Sequence, residues 1–100
     1  MDAIRKADKA LRVFGEIRRT RTRGGEETRA FSARIASAIS SLPLEEQYTI
    51  THLYIEGMTN EEAAGVDECE PSTVSRRKKR ALSRLATILY SDEVIREGNL

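Results

Sequence analysis

The chain has 100 residues, of which 39% are hydrophobic and 33% charged, with only five aromatic side chains. This length and composition predict one small domain with a helical core, and they exclude a sheet enzyme built around a deep pocket. The single cysteine, Cys69, excludes an internal disulfide and a cysteine zinc cluster. The sequence has neither a membrane-length apolar run nor a signal-peptide pattern, so we expect a cytoplasmic protein with no membrane partner.

Charge is distributed very unevenly along the chain, although the net charge is only +1. Residues 1–40 carry ten Lys/Arg against five Asp/Glu, residues 41–70 carry eight acids and no Lys or Arg, and residues 71–100 carry seven cations against three acids. The three blocks therefore have net charges of +5, −8 and +4. Because the distribution of charge matters more than its sum, a nucleic-acid partner is compatible with this chain.

Apolar residues at spacings of three and four predict a first helix from Asp2, a candidate N-cap, to about Thr20. The stripe consists of Ala3, Ile4, Ala7, Ala10, Leu11, Phe14 and Ile17. We expect it to pack on the core of the same chain. The alternative is pairing with a second copy, which would make residues 1–41 a homodimer interface.

The alternating Arg/Thr run at residues 18–23 ends in a Gly-Gly pair, which breaks the helix. Such a run is typical of a solvated basic linker. The alternative is an arm that lies along DNA phosphates or in a minor groove.

Three shorter helices are predicted next. The second covers residues 26–42 and ends before the ring of Pro43. The third covers residues 44–56 and is closed by Gly57. A Thr-x-x-Glu capping box predicts that the fourth covers residues 59–65.

The fifth predicted helix, residues 71–90, is the one around which the domain is organised. Glu70 is a weak N-cap, and Pro71 suits the first turn because its missing N–H is unpaired there anyway. A step of 100° per residue places on the buried face Val74, Ala81, Leu82, Leu85, Ile88 and Leu89. The opposite face carries Ser72, Thr73, Arg76, Lys79 and Arg80. Small hydroxyl residues followed by five consecutive cations suit a DNA groove, whereas the alternative is a solvated basic face on an ordinary bundle helix. We therefore predict an all-α bundle of about five helices with a C-terminal helix-turn-helix.

From Leu42 onward the residues resemble sigma factor region four, the domain that binds the −35 promoter element. The positions that carry the resemblance are Leu42-Pro43, Tyr54, Gly57, Thr59, Glu62, Ala64, Val74, Arg80-Ala81 and Leu85. Tyr54-Ile-Glu-Gly together with Arg77-Lys-Lys-Arg-Ala-Leu-Ser-Arg-Leu-Ala looks even more like the ArpU and RinA type, small sigma-region-four-like activators of phage late genes. The resemblance implies a DNA-binding domain at residues 42–90, preceded by a helical extension at 1–41 and followed by a polar, frayed tail at 91–100.

Several positions depart from the family pattern. His52 and Asp67 stand where leucine is usual, Glu68 where glycine is usual, and Lys78 where a buried apolar residue is usual. We expect Lys78 to lay its methylene groups on the core and Asp67 to loosen or shift the turn. Structural roles are expected for His52 and Cys69, since the chain has no second histidine to complete a metal site.

The resemblance implies a sequence-specific DNA-binding transcription regulator, phage-encoded and associated with the nucleoid of the bacterial host cell. We expect no enzyme activity, no cofactor and no metal. The residues expected on base edges are Ser72, Thr73, Arg76 and Lys79, with Arg76 as the first choice for guanine, and those expected on phosphates are Ser75, Arg77, Arg80, Thr59 and Asn60. One alternative is an interaction module whose acidic segment at 45–70 binds RNA polymerase or another regulator. Another is DNA recognition during phage packaging.

Overall fold

The computed structural model describes residues 2–21 and 23–97, and within them the chain is a bundle of helices without a strand. In chain order the helices are α1 (Asp2–Thr20), α2 (Glu26–Ser40), α3 (Leu44–Ile50), α4 (Asn60–Asp67), α5 (Pro71–Leu89) and α6 (Ser91–Arg96). α3 runs directly into a π-helical turn, Thr51–Ile55, which the sequence analysis did not distinguish from the third helix. The predicted all-α class with a C-terminal helix-turn-helix is confirmed.

One hydrophobic core holds the long helices α1 and α5 together, with α2, α3 and the π-helical turn around them. Its largest fully buried side chains include Leu11 of α1, Ile35 of α2, Ile50 of α3 and Leu85 of α5. The apolar stripe of α1 therefore packs against the rest of this chain, except for Ile17, which is half-buried outside this core. Within the described residues, none of the helices is both long and apolar enough to span a bilayer.

The end of α2 differs slightly from the prediction, because the helix stops at Ser40 rather than at residue 42. Ser41 closes the last turn through its N–H, which donates to the carbonyl of Ala38 at 3.2 Å, and through its hydroxyl, which donates to the same oxygen at 2.7 Å. This local hydrogen bonding competes with another helical turn ahead of Pro43.

The segment after Tyr90 is ordered further than predicted. The expectation of a frayed segment is wrong for Ser91–Arg96, which forms α6. α6 is held against the start of α1, where Lys6 pairs with Glu93 and the N–H of Ala3 donates to Oε1 of Glu97 at 2.7 Å. These partners are 87 and 94 residues apart, so no local pattern could reveal them.

A second, smaller core packs α4 onto α5. Ala63 and Ala64 meet Val74 there, with Leu53, Met58 and Cys69 packed around them. The predicted capping box is confirmed: the N–H of Glu62 donates to Oγ1 of Thr59 at 3.1 Å, and the N–H of Thr59 donates to Oε1 of Glu62 at 2.9 Å.

The turn between α4 and α5 is a regular Schellman motif, not the loosened turn expected from Asp67. Glu68 adopts the left-handed conformation, with φ 54°, where glycine is preferred. The N–H of Cys69 then donates to the carbonyl of Ala64 at 3.0 Å, and the N–H of Glu68 donates to that of Gly65 at 3.4 Å. The turn therefore keeps its geometry although a residue other than glycine occupies the left-handed position.

Candidate nucleic-acid interface

α5 turns a hydroxyl-rich and cationic face away from the core. Pro71 begins the helix at the predicted position, and Glu70 precedes it as an N-cap residue whose side chain forms no capping hydrogen bond. The side chains of Ser72, Arg76, Lys79 and Arg80 are exposed, and Thr73 is partly exposed. These residues, all predicted for the interface, thus lie on one accessible face of one helix.

Ile88 is an exception to the predicted faces of α5, because it is 49% exposed rather than buried. It borders two shallow grooves whose other walls include the small side chains of Ser37 and Ser41. α2 ends at Ser40, beside these grooves.

The five consecutive cations of α5 divide into two groups. Arg76, Lys79 and Arg80 are exposed and form no ion pair among the described residues, and Arg76 donates from Nη2 to Oγ1 of Thr73 at 3.2 Å. Arg77 and Lys78 are half-buried and engaged within the chain. The exposed group is therefore the one available to an external anion without loss of an internal ion pair.

The two half-buried cations are held from opposite flanks of α5. Nη2 of Arg77 lies 3.7 Å from Oε2 of Glu45 on α3, and Nη1 of Arg77 contacts Sγ of Cys69 at 4.0 Å. The ammonium of Lys78 lies 5.7 Å from the ring centroid of Tyr54, so its stem crosses the core surface as expected for a snorkelling lysine.

The start of α4 joins the same surface. Nδ2 of Asn60 donates to Oγ of Ser75 at 3.0 Å, which ties two predicted phosphate contacts together across the two helices. Thr59 is exposed, and its hydroxyl oxygen accepts the capping bond from Glu62, while its own O–H has no acceptor among the described residues. The structure thus brings the predicted residues of α4 and α5 to neighbouring positions.

The acidic segment at residues 45–70 partly neutralises α5 from the side. Glu46 is 2% exposed, and Nε of Arg84 lies between its two carboxylate oxygens, at 3.1 Å from Oε1 and 3.2 Å from Oε2. Glu45 pairs with Arg77 as described. The remaining glutamates of the segment are exposed: Glu56, Glu61, Glu62, Glu68 and Glu70.

A histidine–carboxylate cluster joins the π-helical turn to the end of α4, next to the turn that precedes α5. Nδ1 of His52 lies 2.6 Å from Oε1 of Glu56, and Nε2 lies 3.3 Å from Oδ1 of Asp67. The hydrogen bond to Glu56 raises the pKa of His52 above its usual value, and the charge of Asp67 adds to this against the opposing effect of burial. Sequence analysis missed this cluster, since Asp67 is 15 residues from His52.

α1 is fastened to the helix-turn-helix at Tyr54. The hydroxyl of Tyr54 donates to Oδ1 of Asp8 at 2.5 Å, and Nη1 of Arg19 donates to the carbonyl of Tyr54 at 2.6 Å. Burial, and then the bond to Asp8, raise the pKa of Tyr54 well above its usual value. Burial opposes the shift at Asp8, where hydrogen bonds from Tyr54 and Arg12 lower the pKa. Gly15 allows this close approach, because a Cβ there would lie 1.9 Å from the Tyr54 carbonyl oxygen.

Two packed helices are joined by a tight turn, and the second presents exposed cations that form no ion pair among the described residues. This arrangement defines a helix-turn-helix protein of the DNA-binding class. The family described as "Sigma-70, region 4" matches residues 32–85, which is more than half of the chain. The chain therefore belongs to the sigma-70 region 4 family. The match begins within α2, upstream of Leu42, and ends within α5 at Leu85. Searches of curated proteins and of solved structures gave no match.

Proposed function

We propose that this protein is a sequence-specific DNA-binding regulator of transcription that places α5 in the major groove. The observation that carries the proposal is the exposed, unpaired trio Arg76, Lys79 and Arg80, next to the hydroxyl residues that begin α5. Small residues at the start of a helix let its backbone approach base edges, and exposed guanidinium groups are suited to guanine and phosphate.

The residues fall into two proposed roles. Ser72, Thr73, Arg76 and Lys79 contact base edges, with Arg76 bidentate on guanine. Phosphates are contacted by Thr59, Asn60, Ser75, Arg77 and Arg80. Of these, Arg77 reaches a phosphate only by leaving Glu45, so its contribution is smaller than that of Arg80. The acids beside α5 disfavour DNA at the flank and so orient the duplex onto the exposed face.

A module of this size has limited specificity, so we propose that it acts with a second protein surface. RNA polymerase is the first candidate, because sigma region 4 is part of the transcription machinery. A homodimer through residues 1–41 is the second. The phage origin proposed from the ArpU and RinA resemblance, and with it a role in the host nucleoid, belongs to the same proposal.

The competing function is an interaction module that binds RNA polymerase without reading DNA. It is favoured by α3, where Leu44 is 65% exposed and Tyr48 is 56% exposed one turn apart, beside the acidic residues of that segment. Leu44→Ala with Tyr48→Ala removes this apolar surface from positions that do not contribute to the core. Under the competing hypothesis, this variant loses RNA polymerase in a pull-down.

The test is a titration of the purified protein with duplexes from its own upstream and neighbouring promoters, against scrambled duplexes, across a salt series. We expect preferential binding to one native duplex with a steep loss of affinity as salt rises. Equal, weak binding to native and scrambled duplexes, together with retention on RNA polymerase, would support the interaction module instead.

A further inference from the structure

A groove at the corner between α1 and α2 is lined by four arginines. This arginine groove, of about 640 Å³, contains Arg18, Arg21, Arg23, Arg29, Thr28 and Ser32. None of the described residues that line it is acidic, and the four arginines form no ion pair within the described part of the chain. A concentration of guanidinium groups without internal ion pairs is suited to an external polyanion.

Arg21 occupies a backbone position that disfavours it. It follows α1 with φ 52°, the left-handed conformation in which glycine or asparagine is preferred. Strain of this kind is concentrated at functional sites. The position therefore carries an arginine where glycine would suit the backbone better.

The helix dipoles explain only part of the cluster. Cations at the C-terminal end of α1 are favourable, which accounts for Arg18, whose guanidinium also lies 5.6 Å from the Phe14 ring centroid. Arg29, however, lies in the first turn of α2, where the dipole disfavours a cation. In the same wall of the groove, the Ser32 hydroxyl is buried without a hydrogen-bond partner in the described part of the chain. An anion in the groove supplies the partner that the Arg29 guanidinium lacks among the described residues.

The groove lies at the end of the bundle that carries the start of α4. Arg19, next to Arg18, reaches the Tyr54 carbonyl at 2.6 Å and lines a cleft together with Thr59, Asn60 and Lys78. The C-terminal end of α1 is therefore adjacent to the proposed phosphate contacts of α4.

We infer that the arginine groove is a second phosphate-binding surface, which holds the DNA backbone beyond the base pairs read by α5. The inference rests on the proposed function. Guanidinium forks bind phosphate oxygens bidentately, and the Thr28 hydroxyl adds a donor. The groove lacks the apolar insertion surface that a membrane-binding site uses, since Ile17 is its only large apolar lining residue among those described and is partly buried.

The test compares Arg21→Gly/Arg29→Gln with the charge-matched control Arg5→Gln/Lys9→Gln, whose residues are exposed on the N-terminal half of α1. Affinity is measured across a salt series on two duplexes, one long and one trimmed on the α4 side. On the long duplex, the slope of log K against log[salt] should be less steep in the groove variant by about 1.8, since each lost phosphate contact removes about 0.9. The control should keep the wild-type slope. Trimming should weaken the wild type but not the groove variant.

A folding defect cannot produce the expected result, because Arg21→Gly alone relieves backbone strain and should raise the Tm while lowering the salt slope. An unchanged slope in the groove variant, with wild-type binding intact, would overturn the inference and leave the proposed function standing. Equal losses in groove variant and control would also overturn it. The inference would also be overturned if the groove variant bound DNA like the wild type and lost retention only on anionic phosphatidylserine vesicles. Wild-type protein that binds no DNA would refute the proposed function itself.

Discussion

His52 lies beside Asp67, with Nε2 3.3 Å from Oδ1, and joins the π-helical turn to the last residue of α4. Both residues stand where the resemblance to sigma region four leads one to expect leucine. The two departures lie within hydrogen-bonding distance of each other, so a polar pair stands where the resemblance leads one to expect two leucines. The pair lies directly behind the turn that orients α5.

The pH dependence of stability should reveal this pair. The pKa of His52 is raised in the folded state, so the folded protein binds the proton more tightly than the unfolded chain. The resulting stabilisation is fully present below the unfolded pKa of about 6.5 and is lost as pH rises through the folded pKa. Urea unfolding across this range should show the free energy of unfolding falling in the wild type, with a flatter profile in His52→Leu. Identical pH profiles for the two proteins would refute the assignment.

Replacing both members of the pair by leucine tests their coupling. His52→Leu alone leaves Asp67, whose side chain is 19% exposed, without its imidazole partner and should cost about 1–3 kcal/mol. Asp67→Leu alone leaves His52 bonded to Glu56 and should cost less. The double variant His52→Leu/Asp67→Leu should be more stable than His52→Leu, with a coupling energy of about 0.5–3 kcal/mol in a double-mutant cycle. Additive effects would mean that the two side chains do not interact.

Glu68→Gly should stabilise the turn. Glu68 has φ 54°, and a non-glycine residue in this region costs about 1–2 kcal/mol, which the added freedom of glycine in the unfolded chain partly offsets. We expect a net gain of about 1 kcal/mol in the free energy of unfolding. Glu61→Gly is the matched control, since Glu61 lies within α4 and glycine there is unfavourable. A loss of stability in Glu68→Gly comparable to that of the control would contradict the turn geometry.

Gly15→Ala should be destabilising, although alanine is normally the better helix residue. The new Cβ would lie 1.9 Å from the carbonyl oxygen of Tyr54, so α1 would have to move away from the π-helical turn. Overpacking of this kind costs about 1–3 kcal/mol. Gly65→Ala in α4 provides the control, because a Cβ there meets no atom within 4 Å and should stabilise by about 0.5–1 kcal/mol. Thermal unfolding of the two variants should shift the Tm in opposite directions.

Arg76→Ala should weaken binding to a preferred DNA site by about 1–3 kcal/mol and relax its sequence preference at one position. Arg76 is exposed and makes no ion pair among the described residues, so folding should be unaffected. Arg80→Ala, at a proposed phosphate contact, should instead reduce affinity for all duplexes similarly and lower the salt slope by about 0.9. Affinities on the preferred duplex and on its single-base variants would separate the two effects. Equal behaviour of the two variants would remove the distinction between base and phosphate contacts.

Features encoded within one or two helical turns were predictable from the sequence. The capping box of Thr59 and Glu62, the position of Pro71 and the exposed face of α5 depend on spacings of three and four residues. Features that join distant segments were not predictable. Tyr54 and Asp8 are 46 residues apart, and the π-helical turn that presents Tyr54 has no local signal in this sequence. The burial of Glu46 against Arg84, 38 residues away, likewise depends on how α3 packs on α5.

The residues of the proposed interface show the same difference between local features, which the sequence predicts, and long-range contacts, which it does not. The helical period correctly separated Arg76, Lys79 and Arg80 from the core, but it could not distinguish them from Arg77, whose partners Glu45 and Cys69 come from other elements. Likewise, the sequence shows Arg18, Arg21 and Arg23 as a basic run and Arg29 a few residues further on. Their meeting in one groove with Thr28 and Ser32 required the packing of α1 against α2.

Selection of duplexes from a random pool by the purified full chain would test the central claim most directly. We expect enrichment of one short motif containing a guanine that Arg76 reads, and loss of preference at that base in Arg76→Ala. Enrichment of no motif by a folded protein that still retains DNA through charge alone would contradict the claim that α5 reads sequence.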